Sequence, residues 1–406
     1  MAEPALALPK ETNLPILKKN YLVFRFMGGN LISFFGDQIY LIAFPLIVLA
    51  LTGSPISMGI VAALERLPVL LQPFAGVLSD RFNRKKILLV CDLGRCLVVG
   101  GLGVLFILNG LHMWQLYSGA LLVGMFTQLY NTSEFASVPS LVRKEDLQAV
   151  NSIDSGLFNA AVMAGPGLGG LAISLYNPGY ALLINSFSFL IAFMTVLSVP
   201  LKTDFAAERK PFFTDLKEGF HFVIQTKAIL MTNIAMIGSV FGTTLFLTMM
   251  IFHLKDTMDF DAQHIGWLLS IGGVSAIIGA LVTNVLKKRY TYRSILFIAS
   301  TVGGLSIILF GFSATYSWLV LANGIGTCAA AMMNPCIKTI RQTLTPDYLI
   351  GRVQATSRFM TWTLIPVAAF VSGVMAEQIG TSNTIMMGGI FSTLASVIYL
   401  HPSLSE

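Results

Sequence analysis

Two carboxylates within long apolar runs, Asp37 and Glu134, are the residues of this sequence best placed to do chemistry. A charged side chain at the centre of a membrane helix costs about 2.5–3.5 kcal/mol, so such residues usually serve a function. Polar neighbours accompany both at the three- and four-residue spacing of one helix face. They are Asn30, Ser33 and Tyr40 around Asp37, and Thr127, Tyr130 and Asn131 around Glu134. We expect both stripes to line a wet cavity in which the carboxylates exchange protons. The alternative is that each carboxylate is hydrated near a membrane surface.

Two adjacent charges, Glu65 and Arg66, lie deep in another apolar run. Neighbouring residues on a helix point about 100° apart, so these two are not expected to pair only with each other. Arg66 is the predicted partner of Asp37 or Glu134. A purely structural ion network is as good an interpretation as a role in transport.

Arg358 is a further isolated charge in an apolar run. It could hold an anionic group of a substrate or anchor a cytoplasmic gate, and the sequence does not rank these roles.

The elements that position these residues must be membrane helices. Only 11% of the 406 residues are charged and 55% are hydrophobic, whereas soluble domains carry about 25% charged residues. Apolar runs of helix-spanning length, not short alternating strands, predict an all-α membrane protein with twelve transmembrane helices. The predicted spans are 22–51, 55–78, 87–110, 113–137, 149–175, 179–200, 227–253, 263–286, 294–312, 316–337, 349–376 and 381–400.

Several other classes of protein are excluded by the same pattern. The net charge of +6 does not predict nucleic-acid binding, because the Lys and Arg residues fall mostly in short connectors between spans. No serine, cysteine or histidine constellation and no nucleotide-binding loop is present, so we expect no enzyme activity and no cofactor. The histidines are scattered, which argues against a metal site.

The connectors also predict the topology. Connectors with Lys or Arg alternate with connectors that have none. The one exception joins spans seven and eight, where Lys255 is offset by Asp256, Asp259 and Asp261. The pattern places both termini of a multi-pass membrane protein in the cytoplasm. The predicted organisation is a cytoplasmic segment (1–21), a six-helix bundle (22–200), a cytoplasmic linker (201–226), a second six-helix bundle (227–400) and a tail (401–406). Within the linker, Phe213, Leu216, Phe220 and Val223 have helical spacing and predict an amphipathic surface helix. A plain solvated linker is the alternative.

A basic turn at Gly76–Lys86 has an echo in the second half of the chain, at Gly279–Leu296. Two segments that lead into spans five and eleven, Lys144-Glu145-Asp146-Leu147 and Pro346-Asp347-Tyr348-Leu349, show a similar offset. These echoes predict two parallel repeats of six helices, with a substrate site at the membrane midplane between the repeats.

Span five contains Gly165, Pro166, Gly167, Gly169 and Gly170. The match to a dinucleotide-binding glycine motif is rejected, because no strand precedes it. In a membrane helix the proline favours a bend, and the glycines favour the close approach of a neighbouring helix.

The basic turn resembles the loop signature of the major facilitator superfamily, with Gly76, Asp80, Arg81, Arg84 and Lys85 at the characteristic positions and Asn83 where glycine is usual. The span-five glycines resemble the signature of the drug:proton antiporters of that superfamily. Phe35-Gly36-Asp37, Leu51-Thr52-Gly53-Ser54 and Gly351-Arg352-Val353 resemble its bacterial branch of macrolide efflux proteins and enterobactin exporters. The resemblance implies alternating access, with the basic turn acting as a cytoplasmic latch, and a location in the bacterial inner (plasma) membrane.

One departure from the family pattern concerns span four. Many proton antiporters of the superfamily carry an arginine there, but the comparable Leu122–Phe126 stretch has no basic residue. The proton-carrying role is therefore assigned to Asp37 and Glu134.

The function expected from the sequence is export of amphipathic small molecules, such as drugs, siderophores or lipid-like compounds, coupled to protons and carried out by a monomer in the lipid bilayer. An importer or an uncoupled facilitator is the alternative transport function. A non-transporting receptor or scaffold is the alternative of another class, and it would have no need of Asp37.

Overall fold

The computed structural model describes residues 15–72, 78, 82–201, 212–346 and 349–404, and its regular structure is helical. The first half contains α1 (Tyr21–Thr52), α2 (Pro55–Arg66, extended by a 3-10 turn over Leu67–Leu71), α3 (Arg84–Ile107), α4 (Met113–Ser137), α5 (Leu147–Leu175) and α6 (Pro178–Ser198). A linker helix, α7 (Phe212–Gln225), follows. The second half contains α8 (Lys227–Phe252), α9 (Ala262–Leu286), α10 (Tyr292–Phe312), α11 (Tyr316–Leu344), α12 (Ile350–Trp362), α13 (Ile365–Ile379) and α14 (Thr381–Ser396).

The predicted all-α membrane fold is confirmed. Within the described ranges, ten helical segments are long and apolar enough to cross a membrane, and one of them joins α12 and α13 into span eleven. The other two predicted spans correspond to α2, whose predicted run continues outside the described residues, and to α4, which carries the polar residues around Glu134. Large apolar side chains are exposed along many helices, as lipid contact requires.

Polar caps explain where many helices begin. The side chains of Asn20, Ser54, Asn83, Asn177, Asp261 and Thr291 each accept a backbone N–H at the start of a helix. Such caps satisfy N–H groups that have no partner within the helix. The backbone N–H of His264, at 2.8 Å, is the main reason that the pKa of the Asp261 carboxyl is lowered.

The two six-helix bundles repeat one packing pattern. In the first, α6 packs on α1 and α3, α4 packs on α2 and α3, and α5 packs on α1. In the second, α14 packs on α8 and α10, α11 packs on α9 and α10, and the α12–α13 span packs on α8. Each contact of one bundle therefore has its counterpart in the other, as two parallel repeats predict.

The halves meet along two helix pairs, α2 with α13 and α5 with α9, which the repeat relates to each other. Both pairs approach through glycine. A Cβ on Gly59 would lie 2.8 Å from the Cα of Gly373, and a Cβ on Gly273 would lie 2.8 Å from the Cα of Met163. These positions exclude any larger side chain while the helices stay in this arrangement.

The glycines of α5 allow close approach of both neighbouring helices, α1 and α9. Gly165 and Gly169 face α1, where a Cβ would lie 2.5 Å from Cβ of Gln38 and 3.0 Å from Cα of Ile39, respectively. Gly170 faces the backbone of α9, and the N–H of Gly167 donates to Ser270 Oγ at 2.9 Å. Pro166 lies within one continuous helix.

The contacts of Gly59 with Gly373 and of Gly170 with Ala262 lie toward the membrane side opposite α7. We call this the far side and the other the linker side. On the linker side, the first half of α5 exposes Asn151, Ser155 and Asn159, and a Cβ on Gly156 would meet no atom within 4 Å. Arg358 of α12 is exposed as well. From these exposed polar residues we infer that the two halves enclose a cleft that is closed on the far side and opens on the linker side.

Replacing Gly373 with valine is expected to shift the protein away from this conformation. The added Cβ would lie 2.8 Å from the carbonyl oxygen of Pro55, so α2 and α13 must separate on the far side. Spin labels can be attached to cysteines introduced at Trp114 and Asn383 in a background without other cysteines. Double electron–electron resonance should then report a longer distance between the two labels. Gly101→Val is the matched control, because its Cβ would have no neighbour within 4 Å. An unchanged distance in Gly373→Val would contradict the proposed far-side closure.

The linker helix packs against span eleven. Glu218 forms an ion pair with Arg352, and the rings of Phe220 and Phe359 lie 6.4 Å apart. A Cβ on Gly219 would lie 3.0 Å from the Arg352 carbonyl oxygen. Helix α7 is thus attached to the second bundle.

Candidate functional site

A buried hydrogen-bonded chain connects α1 with α4 in the first bundle. Asn30 Nδ2 donates to Glu134 Oε1 at 2.6 Å, and Tyr130 Oη donates to Asn30 Oδ1 at 2.7 Å. Asn30 and Tyr130 are both 2% exposed. The structure therefore joins the two polar stripes proposed from the sequence, with Asn30 satisfying both partners at once.

The same chain ends on a cation that the sequence analysis missed. The Arg95 guanidinium of α3 lies between two rings, 4.1 Å from the centre of Tyr130 and 4.3 Å from that of Phe189 on α6. It also forms an ion pair with Asp92 at 2.6 Å, and both residues are almost fully buried. Stacking on two aromatic faces and pairing with a carboxylate are both strong, desolvated interactions of arginine.

Asp37 of α1 is close enough to this pair to interact electrostatically with Arg95. It is half-buried, and the cation that acts on it electrostatically is Arg95. Glu65 and Tyr40 are also within electrostatic reach of Asp37. Arg95 is therefore shared by two carboxylates, Asp92 by direct contact and Asp37 through space.

Arg66 does not occupy the position predicted for it. Its electrostatic partner is Glu65, its neighbour in sequence, and no described hydrogen bond or ion pair joins it to Asp37 or Glu134. The expectation failed because α3 approaches these carboxylates in the folded bundle. Arg95 also supplies positive charge to span four, where the family pattern has an arginine and this sequence has none.

Two other predicted site residues stand apart from this network. Asn131 is exposed and, in the described part of the chain, makes no side-chain hydrogen bond. Arg358 stacks its guanidinium 4.0 Å from the ring centre of Trp362, on the exposed linker-side part of span eleven. Both positions are compatible with contact to a molecule in the cleft.

The second bundle contains a related network with the opposite charge. Arg341 Nη2 donates to Asn233 Oδ1 at 2.8 Å, and Asn233 Nδ2 donates to Ser357 Oγ at 3.0 Å. Asn233 lies early in α8, as Asn30 lies early in α1. An asparagine thus joins the first helix of each bundle to its neighbours, with Glu134 in one bundle and Arg341 in the other.

The basic turn is only partly described, since Gly76, Asp80 and Arg81 lie outside the described residues. Arg84 Nη1 donates to the Ala136 carbonyl oxygen at 2.9 Å, near the end of α4. Lys85 Nζ donates to the carbonyl oxygens of Leu197 and Val199, both at 2.8 Å, at the end of α6. These cations occupy helix C-termini, where unpaired carbonyls and the helix dipole favour positive charge.

The arrangement can bind and release protons in a membrane interior. Asp37, Asp92 and Glu134 form a series of carboxylates connected by Arg95, Tyr130 and Asn30. Among the described residues, no group of three or more His, Cys, Asp and Glu side chains could hold a metal ion. The signal that could have revealed Arg95 is its i,i+3 spacing from Asp92 within an apolar run.

Comparison with known families identifies the architecture. The sequence model of the Major Facilitator Superfamily matches residues 26–369 and 232–405. This chain belongs to the Major Facilitator Superfamily. It is therefore a multi-pass membrane transporter and not an enzyme, as the sequence predicted.

Several members of the superfamily resemble the chain over most of its length. The MFS-type transporter YfiS of Bacillus subtilis is 23% identical, covering 95% of this chain and 94% of the relative. The multidrug efflux pump Tap of Mycolicibacterium fortuitum is 23% identical, covering 89% and 91%. The enterobactin exporter EntS of Escherichia coli O1:K1 is 26% identical, covering 79% and 73%.

Solved structures of two other transporters share the fold of this chain. A point mutant of the nucleoside transporter NupG aligns with a TM-score of 0.79 at 14% identity, covering 93% of this chain and 99% of that one. A bacterial homologue of the iron transporter ferroportin in an inward-facing state aligns with a TM-score of 0.77 at 15% identity, covering 94% and 98%.

Proposed function

We propose that this transporter exports amphipathic small molecules and that inward proton movement drives the export. The observation that carries the proposal is the buried Asp92–Arg95 pair beside Asp37, connected through Tyr130 and Asn30 to Glu134. Charged groups this deep in a membrane protein are characteristic of proton relays and substrate pathways.

The shared cation suggests how a proton is used. Arg95 can compensate one of its two carboxylates, Asp92 and Asp37, so the set can take up one proton and still keep a neutral ion pair. A proton on Asp37 removes its attraction to Arg95 and leaves the Asp92 contact intact. The first bundle then has two electrostatic states that differ in the charge of Asp37, and such a difference can bias a two-state equilibrium.

The orientation follows from the distribution of cations. Arg84, Lys85, Arg143, Lys287 and Lys288 all lie on the linker side, so we assign that side to the cytoplasm. In the proposed cycle, a molecule enters the cleft from the cytoplasm, the linker-side halves close, and the glycine contacts of the far side open. Proton binding to Asp37 from outside then favours the return.

The substrate class is supported by the relatives and by the walls of the cleft. Tap is described as a multidrug efflux pump and EntS as an enterobactin exporter. The exposed linker-side walls combine polar residues such as Asn151 and Asn159 with apolar ones such as Phe158 and, opposite, the Trp362–Arg358 stack. A mixed surface of this kind suits molecules with both polar and apolar parts.

Everted membrane vesicles offer a direct test. With the cytoplasmic face outward and the lumen acidified, vesicles that contain the protein are expected to take up a fluorescent amphipathic dye faster than vesicles without it. A protonophore should abolish the difference. Uptake that persists after the protonophore would contradict coupling and support a facilitator. Dye movement out of the lumen would contradict export, and no movement across a panel of amphipathic dyes would contradict the substrate class.

A further inference from the structure

A cavity of about 220 Å³ lies inside the second bundle, between α8, α10 and α11, with α14 behind it. It is separate from the network of Asp37, Arg95 and Glu134, which belongs to the first bundle. Leu247 and Ala330 line it and are themselves exposed, so they form its rim.

Two aromatic rings form one wall of this cavity. Phe246 and Phe310 are buried, and their rings meet edge to face with centres 4.9 Å apart. Glycines at positions 303 and 326 on the neighbouring helices keep the opposite wall open. A flat ring has favourable edge and face contacts in such a space.

Two buried polar side chains in the wall have unused hydrogen-bonding capacity. Asn323 is 5% exposed; its Nδ2 donates to the Leu268 carbonyl oxygen at 3.0 Å, whereas its Oδ1 has no partner among the described residues. The Ser392 hydroxyl, also in a residue that is 5% exposed, has none in the same part of the chain. Both residues line the cavity, so the acceptor and the hydroxyl can form hydrogen bonds with a polar occupant.

The lining residues also define the charge of that occupant. None of them is Asp, Glu, Lys, Arg or His, so an ionised group would be buried without compensation. An engineered cavity of about 150 Å³ holds benzene, and this cavity is larger and partly polar. We propose that it binds an uncharged aromatic ring carrying an O–H or N–H donor, as the ring-bearing part of the transported molecule. This inference rests on the proposed export of amphipathic molecules.

A second space nearby has different chemistry and provides a control. A groove on the outer face of α9, α10 and α11 is lined by exposed aliphatic residues such as Ile298 and Val302. It is open toward the lipid. Val302 lines the groove and Gly303 lines the cavity. Substitutions at these adjacent positions of α10 therefore compare the two spaces.

Photolabelling of purified protein in nanodiscs tests the proposal without relying on transport. The probe is a phenol that carries a diazirine, and cross-linked peptides are identified by mass spectrometry. We expect labelling of α8, α10 and α11 at the cavity residues. Free phenol should compete about five-fold better than toluene, since one net hydrogen bond contributes about that factor. Toluene enters bilayers more readily, so lipid partitioning cannot create this preference.

Two variants and one control sharpen the test. Gly303→Leu should abolish labelling by filling the cavity; its Cβ would meet only Ala329 Cβ, at an ordinary 3.7 Å. Ser392→Ala should reduce the advantage of phenol over toluene, and Val302→Leu should change neither readout. Labelling that survives in Gly303→Leu, or equal competition by phenol and toluene in the unmodified protein, would overturn the proposal. If labelling behaves as expected but vesicles show no dye uptake, the cavity assignment stands and the proposed export fails.

Discussion

Arg95→Met is expected to lower the free energy of unfolding by about 3–5 kcal/mol, the usual cost of leaving one partner of a buried ion pair alone. Asp92 is fully buried and takes its charge compensation from Arg95. The variant also loses the two ring contacts with Tyr130 and Phe189. Thermal unfolding in detergent, followed by exposure of the buried thiol of Cys91 to a fluorescent maleimide, would measure the loss.

The double variant Asp92→Asn with Arg95→Met separates charge from packing. It removes both charges, so most of the lost stability should return, while proton-coupled transport should stay absent. Arg289→Met is the matched control, because this exposed arginine should change stability by no more than about 0.5 kcal/mol. Equal instability of the single and double variants would show that shape, not charge, makes Arg95 important.

Asp37→Asn is expected to uncouple transport from the proton gradient. The amide keeps the shape of the carboxylate but cannot take up a proton at this position. One proton moving through 100 mV supplies about 2.3 kcal/mol, so its loss should lower the attainable substrate gradient about 50-fold. Dye uptake into acid-loaded everted vesicles measures this gradient, and exchange of dye at equal concentrations should persist.

Asp259→Asn is the control for the same chemical change. Its side chain is exposed in a far-side turn with a positive φ of 54°, a conformation that asparagine adopts readily. Full coupling in Asp37→Asn would contradict the assignment. Loss of coupling in Glu134→Gln alone would place the proton site at the Asn30 end of the network.

The helical architecture was predictable because lipid leaves the backbone few options. Apolar runs predicted where the helices lie, and the cost of burying charge singled out Asp37 and Glu134. The repeat of the basic turn predicted two similar bundles. All of these features depend on the spacing of residues along the chain, which can be taken directly from the sequence.

The pairing of side chains between helices was not predictable in the same way. Which cation reaches Asp37 depends on the rotation and depth of α3 relative to α1, and these are set by packing across the whole bundle. Asp92 and Arg95 were overlooked because they cancel each other's charge within one apolar run. The cavity beside Phe310 likewise depends on glycines of two neighbouring helices, α10 and α11, and becomes visible only after the helices are assembled.

The glycine contacts between the bundles have a mechanical consequence. Where α2 meets α13 and α5 meets α9, glycines bring the backbones of the two helices into direct contact. Interlocked side chains would have to leave their rotamers for one bundle to roll over the other. Glycine interfaces let the two bundles move relative to each other with little rearrangement of side chains. We therefore expect the binding and release of substrate to set the rate of the transport cycle.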